Sequence, residues 1–204
     1  MKTLDDFSKS PTEIYILDTE TTGLDGAPID VVVDVGICKV DLEKGTVDDA
    51  YSEIVGHDIK KWNECRKNAW IFQNTDLTID QVSYGRPFDT IRDEVEKLLR
   101  GKYLTTYNTE YDLNKFLYRD PWNLKNVFTE CRDIMKAATM VCKLPSIYYG
   151  QFKYPKLDYA YSKILDGKDP ANIHGKQDHR ALSDARMASH LMIELYNDSN
   201  YLPL

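Results

Sequence analysis

The fold is decided by the stretch Glu13-Ile14-Tyr15-Ile16-Leu17-Asp18-Thr19-Glu20-Thr21-Thr22-Gly23-Leu24. Its apolar, β-rich first half predicts a strand, and Thr22-Gly23-Leu24 supplies the turn residues beyond it. Alternation along a strand places Asp18 and Glu20 on the same face. Two such carboxylates repel each other and lose hydration, so they need a cation or a proton. A lone Asp-x-Glu pair is usually a solvated strand end, so its meaning depends on the rest of the chain.

The sequence around this stretch predicts an α/β fold. Apolar runs at Val31 to Val40 and Tyr51 to Val55 predict two more strands, which complete an antiparallel meander. A short strand is predicted at Tyr103 to Tyr107. Apolar residues at helical spacing predict helices over Trp62–Phe72, Pro87–Leu99, Leu113–Leu117, Met135–Val141, Leu157–Leu165 and Arg180–Tyr196. We therefore expect a mixed β-sheet, an antiparallel meander plus parallel strands, flanked by helices. No linker or repeat interrupts the pattern, so residues 1–12 are predicted to be a polar lead-in and residues 13–204 a single domain.

The composition excludes several classes of protein. The chain has 204 residues, 42% of them hydrophobic and 29% charged, which excludes collagen-like and wholly disordered chains. The net charge of −7 argues against a basic arm that coats nucleic acid, but it leaves room for nucleic acid held through metal ions. Four cysteines without a CxxC pair indicate a reducing compartment. Without an apolar signal sequence or an apolar run of roughly 20 residues, we expect a cytoplasmic protein with no part in the membrane.

Two more acids and one histidine are candidate functional residues. Asp112 falls in the first turn of the helix after the Tyr103 strand, where an acid alone would be read as a capping residue. Asp184 lies beside the apolar stripe of the last helix, which is costly unless it meets a cation. His179 precedes Asp184 by five residues and is predicted to lie on the loop that leads into this helix.

Three motifs occur together in one order. They are Ile16-Leu17-Asp18-Thr19-Glu20-Thr21-Thr22-Gly23-Leu24, Tyr107-Asn108-Thr109-Glu110-Tyr111-Asp112 and His179-Arg180-Ala181-Leu182-Ser183-Asp184-Ala185, with Leu157-Asp158 before the third. In this arrangement the chain resembles the histidine-containing branch of the DEDD 3′–5′ exonuclease superfamily, in the group of the DNA polymerase III epsilon subunit and RNase T. The second motif departs from the family pattern at Tyr107, Thr109 and Tyr111, which leaves open which sugar the terminal nucleotide carries.

The resemblance implies a ribonuclease H-like fold and a metal-dependent reaction that releases nucleoside 5′-monophosphates from 3′ ends. Two divalent ions, Mg²⁺ or Mn²⁺, would be held by four carboxylates, which are the hard oxygen ligands that these ions prefer. These ligands are Asp18, Glu20, Asp112 and Asp184. His179 is suited to act as the general base, because imidazole titrates near neutral pH. The resemblance assigns the terminal nucleotide to Thr21, Thr22, Gly23 and Leu24, and Gly23 would allow close approach of the backbone. The expected partner is a single-stranded nucleic-acid 3′ end, and a polymerase or a second copy of the chain is a further candidate.

Two other interpretations remain open, whereas the absence of two motifs excludes a nucleophile-elbow hydrolase and argues against a Walker-type nucleotide-binding protein. A haloacid dehalogenase-type phosphatase also begins with an acid pair after a strand, but it leaves the His179 to Asp184 pattern unexplained. A non-catalytic module of the same fold would only dock to nucleic acid or to a polymerase. No Gly-x-Ser-x-Gly elbow and no Walker-type glycine loop occurs in the chain.

One segment has two readings. Between Lys143 and Lys156 the chain carries aromatic residues with interleaved lysines, namely Tyr148, Tyr149, Phe152, Lys153 and Tyr154. Such a pattern is typical of a groove for single-stranded nucleic acid. The same rings could equally pack over the core beneath a long loop.

Overall fold

Three long antiparallel strands form the centre of the sheet: β1 (Glu13–Thr21), β2 (Val32–Asp41) and β3 (Thr46–Gly56). The computed structural model describes residues 10–148, 150–173 and 177–204. Residues 1–9, which make up most of the predicted lead-in, lie outside the described residues, as does Tyr149. The predicted meander is confirmed, because β1, β2 and β3 pair in sequence order.

Short parallel strands extend both edges of this meander. They are β4 (Arg86–Pro87) beside β3, β5 (Tyr103–Thr105) beside β1, and β6 (Thr129–Glu130) beside β5. The order within the described part of the chain is β4-β3-β2-β1-β5-β6. The mixed sheet therefore matches the predicted fold class, and β1 is paired on both sides.

The region after β3 differs from its prediction. The predicted helix over Trp62–Phe72 is wrong, since the chain forms a 3₁₀ turn (Ile59–Lys61) and the short helices α1 (Glu64–Lys67), α2 (Trp70–Asn74) and α3 (Ile79–Tyr84). Local capping explains the division, because the Asn63 side chain accepts a hydrogen bond from the backbone N–H of Arg66 and Thr78 forms a capping box with Gln81. Extended backbone at Ala69 separates α1 from α2.

The remaining helices follow the predictions with small shifts at their ends. They are α4 (Phe88–Leu99), a π-helix (Glu110–Leu117), α5 (Ile134–Cys142), α6 (Leu157–Ile164) and α7 (Ala181–Asn197). A small hairpin, β7 (Leu144–Pro145) and β8 (Phe152–Lys153), joins α5 to α6. No helix in the described ranges is both long enough and apolar enough to cross a membrane.

Helices cover both faces of the sheet. Ile14 and Ile16 belong to the core cluster formed with α5, α6 and α7, whereas Tyr15 and Leu17 belong to the cluster formed with α4 and the π-helix. Because side chains alternate along a strand, Asp18 extends the row of Ile14 and Ile16 towards α7.

The N-terminus of α7 lies directly on β2. A Cβ atom built at Gly36 would come within 2.1 Å of the backbone nitrogen of Leu182. Only glycine leaves room for this approach, so Gly36 sets the distance between the sheet and the helix that carries Asp184.

Candidate active site

Asp18 and Glu20 lie near the carboxyl end of β1, one of the two central strands of the sheet. Burial is the largest cause that raises the pKa of Asp18 well above its usual range, and repulsion from Asp112, Asp184 and Glu20 adds to it. Burial also raises the pKa of Glu20, with Asp184 as the strongest charged neighbour. The structure therefore brings the four predicted acids into one electrostatic cluster.

Asp112 reaches this cluster from the π-helix. Its side chain is buried and accepts a hydrogen bond of 2.7 Å from the Thr19 hydroxyl. Burial raises the pKa of Asp112 to about 7, and the bond from Thr19 opposes part of that effect. Asp112 is therefore hydrogen-bonded to β1 and is more than a helix cap.

Asp184 reaches the cluster from the first turn of α7. Burial raises its pKa to about 7, partly opposed by the Gln177 side-chain amide, which donates a hydrogen bond to Oδ2. The other oxygen, Oδ1, is buried and has no hydrogen-bond partner among the described residues. A buried carboxylate oxygen without a donor is unfavourable on its own and is suited to a cation.

His179 lies on the loop before α7, as predicted. Its backbone has a φ of 54°, in the left-handed region that residues other than glycine rarely adopt. The imidazole meets the Trp70 ring edge to face, with the ring centres 5.1 Å apart. Burial lowers the pKa of His179, which keeps the ring neutral near pH 7.

The geometry of the cluster fits a divalent cation. Glu20, His179 and Asp184 each offer one ligand atom, and these atoms all lie within 4.8 Å of one another. Carboxylate oxygens are the donors that Mg²⁺ and Mn²⁺ prefer, and positive charge would reverse the repulsion that raises the carboxyl pKa values.

A cleft of about 940 Å³ opens beside this cluster. The four residues predicted to bind the nucleotide, Thr21, Thr22, Gly23 and Leu24, all line it, together with Glu20 and His179. The side chain of Leu24 is 73% exposed, so it stands free at the cleft. Sequence reasoning missed Trp70 as a cleft residue, because nothing in the short α2 segment distinguishes it from a surface tryptophan.

Hydrogen bonds fix the turn that forms one wall of the cleft. The hydroxyls of Thr21 and Tyr111 lie 2.5 Å apart, and each lies 2.9 Å from the carbonyl oxygen of Gly23. Tyr111 is one of the departures from the family pattern, and its hydroxyl donates a hydrogen bond to the Gly23 carbonyl that a phenylalanine could not make. Gly23 leaves room for the Asp30 carboxylate, because a Cβ atom built at Gly23 would lie 2.6 Å from an oxygen of Asp30.

A buried ion pair lies behind the site, and the sequence interpretation missed it. Asp34, on β2, is 1% exposed and accepts hydrogen bonds from the Arg180 side chain at 2.7 Å and from the backbone N–H of Ala181 at 3.2 Å. An acid inside the apolar run Val31 to Val40 was the available signal, since a charged residue there requires a partner. Asp34 thus connects β2 to the loop of His179 and the start of α7.

Comparisons with known proteins agree with this fold. The chain is 24% identical over 191 residues to the 3′-5′ exonuclease DinG of Bacillus subtilis (strain 168), which covers 92% of this chain and 18% of DinG. The chain therefore spans less than a fifth of the length of this relative. The nuclease domain of 3′hExo, a DEDDh family member bound to rAMP, superposes with a TM-score of 0.64 at 18% identity and covers 96% of each chain. Exonuclease I of E. coli in complex with a dA16 oligonucleotide gives a TM-score of 0.63 at 13% identity, over 92% of this chain and 41% of that one.

A family model that matches most of the sequence shows which family the chain belongs to. The exonuclease family model RNase T matches residues 15–192, a range that includes all three motifs. A specific likeness to the DNA polymerase III epsilon subunit stays a prediction. The chain belongs to the RNase T exonuclease family, within the DEDD-type 3′–5′ exonuclease superfamily.

Proposed function

We propose that the protein is a metal-dependent 3′–5′ exonuclease that hydrolyses phosphodiester bonds at nucleic-acid 3′ ends and releases nucleoside 5′-monophosphates. One observation carries the proposal: ligand atoms of Glu20, His179 and Asp184 converge within 4.8 Å. Asp18 and Asp112 add buried carboxyl groups to the same cluster. The relatives support the substrate class, since one is bound to rAMP and another to a dA16 oligonucleotide.

In this proposal Asp18, Glu20, Asp112 and Asp184 hold two divalent ions, Mg²⁺ or Mn²⁺. When bound, such a pair of ions neutralises charge on the phosphoryl oxygens and orients the attacking water. The four side chains come from β1, the π-helix and α7, so the packing of these three elements keeps them together.

His179 acts as the general base in this proposal and takes a proton from the attacking water at a ring nitrogen. The lowered pKa of His179 supports this role, because the imidazole must be neutral to accept a proton. The edge-to-face contact with Trp70 and the left-handed backbone hold the ring towards Glu20 and Asp184.

The terminal nucleotide occupies the cleft in this proposal. Backbone groups of Thr21, Thr22 and Gly23 contact it, and the exposed Leu24 side chain packs beside the base. The hydroxyls of Thr21 and Thr22 already bond within the protein, to Gly23 and Asp30 respectively, so they contribute chiefly by fixing the turn.

Residues 13–204 would form one exonuclease domain, and DinG is an example of a longer protein to which such a chain is similar. A polymerase or a second copy of the chain is a candidate partner. The four cysteines are free, which favours a reducing compartment such as the cytoplasm.

The alternative is a non-catalytic module of the same fold that binds nucleic acid or a polymerase. Loss of an acid or of the histidine would favour it, but all five residues are present, and ligand atoms of Glu20, His179 and Asp184 lie within 4.8 Å of one another.

A digestion of 5′-labelled DNA and RNA oligomers of matched sequence, with Mg²⁺ or Mn²⁺, tests the proposal. We expect a ladder of labelled products that shortens from the 3′ side, and the faster ladder identifies the preferred sugar. An oligomer that stays intact with both metals and both sugars would support the non-catalytic alternative.

A further inference from the structure

We propose that the hairpin between α5 and α6 binds the single strand that enters the cleft, through stacking of bases on exposed aromatic rings and through lysine contacts to phosphates. We call residues 143–156 the aromatic hairpin. The inference rests on the proposed nucleic-acid substrate and extends it from the terminal nucleotide to the nucleotides upstream.

Three rings of the aromatic hairpin are exposed. Tyr148, Phe152 and Tyr154 are 64%, 41% and 55% accessible to solvent, and Ile147 beside them is 92% accessible. Tyr149 lies outside the described residues. The core-packing interpretation of these three rings is therefore wrong, because a ring that packs beneath a loop would be buried. Exposed aromatic groups of this size usually mark a binding surface.

The charge of the aromatic hairpin selects a polyanion as the occupant. The 24 residues between Asp133 and Asp158 contain four lysines and no Asp or Glu, which is the longest acid-free stretch of a chain whose net charge is −7. Three of these lysines, Lys143, Lys153 and Lys156, are exposed. Aromatic rings interleaved with cations are the combination that binds single strands with little sequence preference.

The aromatic hairpin is continuous with the cleft. Lys156 lines the cleft together with Leu157 and Asp158. Just before it, the Pro155 carbonyl accepts a hydrogen bond of 2.8 Å from the buried Tyr107 hydroxyl, which anchors this end of the hairpin to the core. A chain spans at most about 3.3–3.6 Å per residue, so Tyr154 lies within about 7 Å of Lys156 and Phe152 within about 14 Å. A strand stacked at about 3.4 Å per nucleotide reaches both rings with about four nucleotides.

The test measures binding separately from cleavage. Fluorescence anisotropy measures the Kd of a labelled single-stranded oligomer that is much longer than four nucleotides. The Kd is measured for the chain in chelator, and in Mg²⁺ for the chain that carries Asp18→Ala. Each of the single changes Phe152→Ala and Tyr154→Ala should raise Kd by about 5- to 100-fold, and the double variant should raise it further. Tyr154→Phe keeps the ring and should bind like its parent. Tyr84→Ala is the matched control, since Tyr84 is 88% exposed and lines a different cavity with Ser52 and Arg86.

Salt dependence and substrate length separate the parts of the proposal. Lys143→Ala and Lys153→Ala should each reduce the slope of log Kd against log salt by about 0.7. If the wild-type chain hydrolyses nucleic acid, the ring variants should raise KM for the long oligomer, leave KM for a dinucleotide unchanged and keep kcat.

Two outcomes would overturn the inference. An unchanged Kd in the double variant would remove the rings from the binding surface, even if hydrolysis is normal. Unchanged Kd together with loss of self-association in sedimentation would assign the rings to a contact between copies of the chain. Absence of hydrolysis with the expected loss of binding would contradict the proposed reaction but keep the aromatic hairpin as a nucleic-acid surface.

Discussion

Burial of acids is the main electrostatic feature of the site at the scale of single residues. It is the largest cause of the raised pKa at Asp18, Glu20, Asp112 and Asp184. A group whose folded-state pKa exceeds its ordinary value binds a proton more tightly in the folded state. Its effect on stability therefore becomes less favourable as the pH rises between the two values.

The raised pKa of Asp184 predicts that Asp184→Asn increases the stability of the fold by an amount that depends on pH. The pKa of Asp184 is about 7 in the folded chain and its ordinary value is 3.8, so the cost of the ionised carboxylate grows between about pH 4 and pH 7 and is complete above that window. In chelator, the variant should melt at a higher temperature than the wild type at about pH 8, and the difference should fall at about pH 5. Mg²⁺ should raise the wild-type melting temperature at about pH 8 more than that of the variant.

The exposed Asp48 provides the control, since Asp48→Asn should change stability little at either pH. A melting difference for Asp184→Asn that is the same at both pH values would contradict the assigned burial of this carboxylate.

His179→Ala should slow hydrolysis by about 10²- to 10⁴-fold with little change in KM if the imidazole is the general base. The measurement is kcat on a labelled oligomer across pH. The wild-type rate should fall at low pH as the ring becomes protonated, below the ordinary imidazole pKa because burial lowers it. An unchanged rate in the variant would remove His179 from that role.

Residue-scale prediction from the sequence succeeded where residues fall in motifs. The four acids form one electrostatic cluster, and ligand atoms of Glu20, Asp184 and His179 converge, whereas the assignment of all five residues as ligands and base stays a prediction. Trp70 and Asp34 were missed for different reasons. Trp70 reaches the cleft through the path of α2, which no local pattern encodes, and the partner of Asp34 is a residue 146 positions away.

At the scale of elements, α7 carries the third motif and its attachment to β2 sets the position of that motif. Gly36 permits backbone contact with Leu182, and Asp34 holds the helix start through Arg180 and the N–H of Ala181. The helix dipole adds to this attachment, because a carboxylate is favoured at a helix N-terminus.

Asp34→Asn should therefore weaken both the fold and the reaction. The charge-assisted bonds of the buried carboxylate are worth about 1–3 kcal/mol, so the free energy of unfolding should fall by about that amount in urea titration. The value of kcat should also fall, because Asp184 and His179 flank the attachment.

A second ion pair between the sheet and α7 serves as the matched control. Asp49, on β3, accepts a hydrogen bond of 2.8 Å from Arg186, but both side chains are well exposed. Asp49→Asn should cost less than about 1 kcal/mol and leave kcat unchanged. Equal losses in the two variants would contradict a special role for the Asp34 attachment.

Elements were predictable where one periodicity persists. The strands β1 and β2 are continuous apolar runs and the helices α4 and α7 carry apolar residues at period 3.6, and the structure has these four within a few residues. The strand β3 begins at Thr46, five residues before its predicted start at Tyr51. The region 59–84 was not predictable in this way, because side-chain caps at Asn63 and Thr78 divide it into short helices. The two-residue strands depend on pairing with a neighbouring strand, which a local pattern does not reveal.

At the scale of the whole molecule, the sheet order explains how distant motifs meet. β1 lies near the centre, with β2, β3 and β4 on one side and β5 and β6 on the other. The π-helix follows β5, the parallel neighbour of β1, and α7 crosses the opposite face of the sheet. The fold class was predictable because a strand meander followed by helices and strands admits few arrangements.

The distribution of charge belongs to the same scale. The chain is acidic overall, and its candidate active site is a buried cluster of carboxyl groups. The aromatic hairpin beside the cleft, in contrast, contains lysines and no Asp or Glu. Cations at the cluster and lysines at its edge would together admit a polyanion to an acidic protein.

In the proposed reaction, the four acids form one metal centre that cuts nucleic acid from its 3′ end. Its most direct test is digestion of a 5′-labelled single strand by the wild type and by Asp18→Ala, each in Mg²⁺ and in excess EDTA, with circular dichroism to compare their folds. We expect stepwise shortening from the 3′ side by the wild type in Mg²⁺ alone, and no products from an intact Asp18→Ala chain. Near-normal digestion by Asp18→Ala, or by the wild type in excess EDTA, would contradict the account.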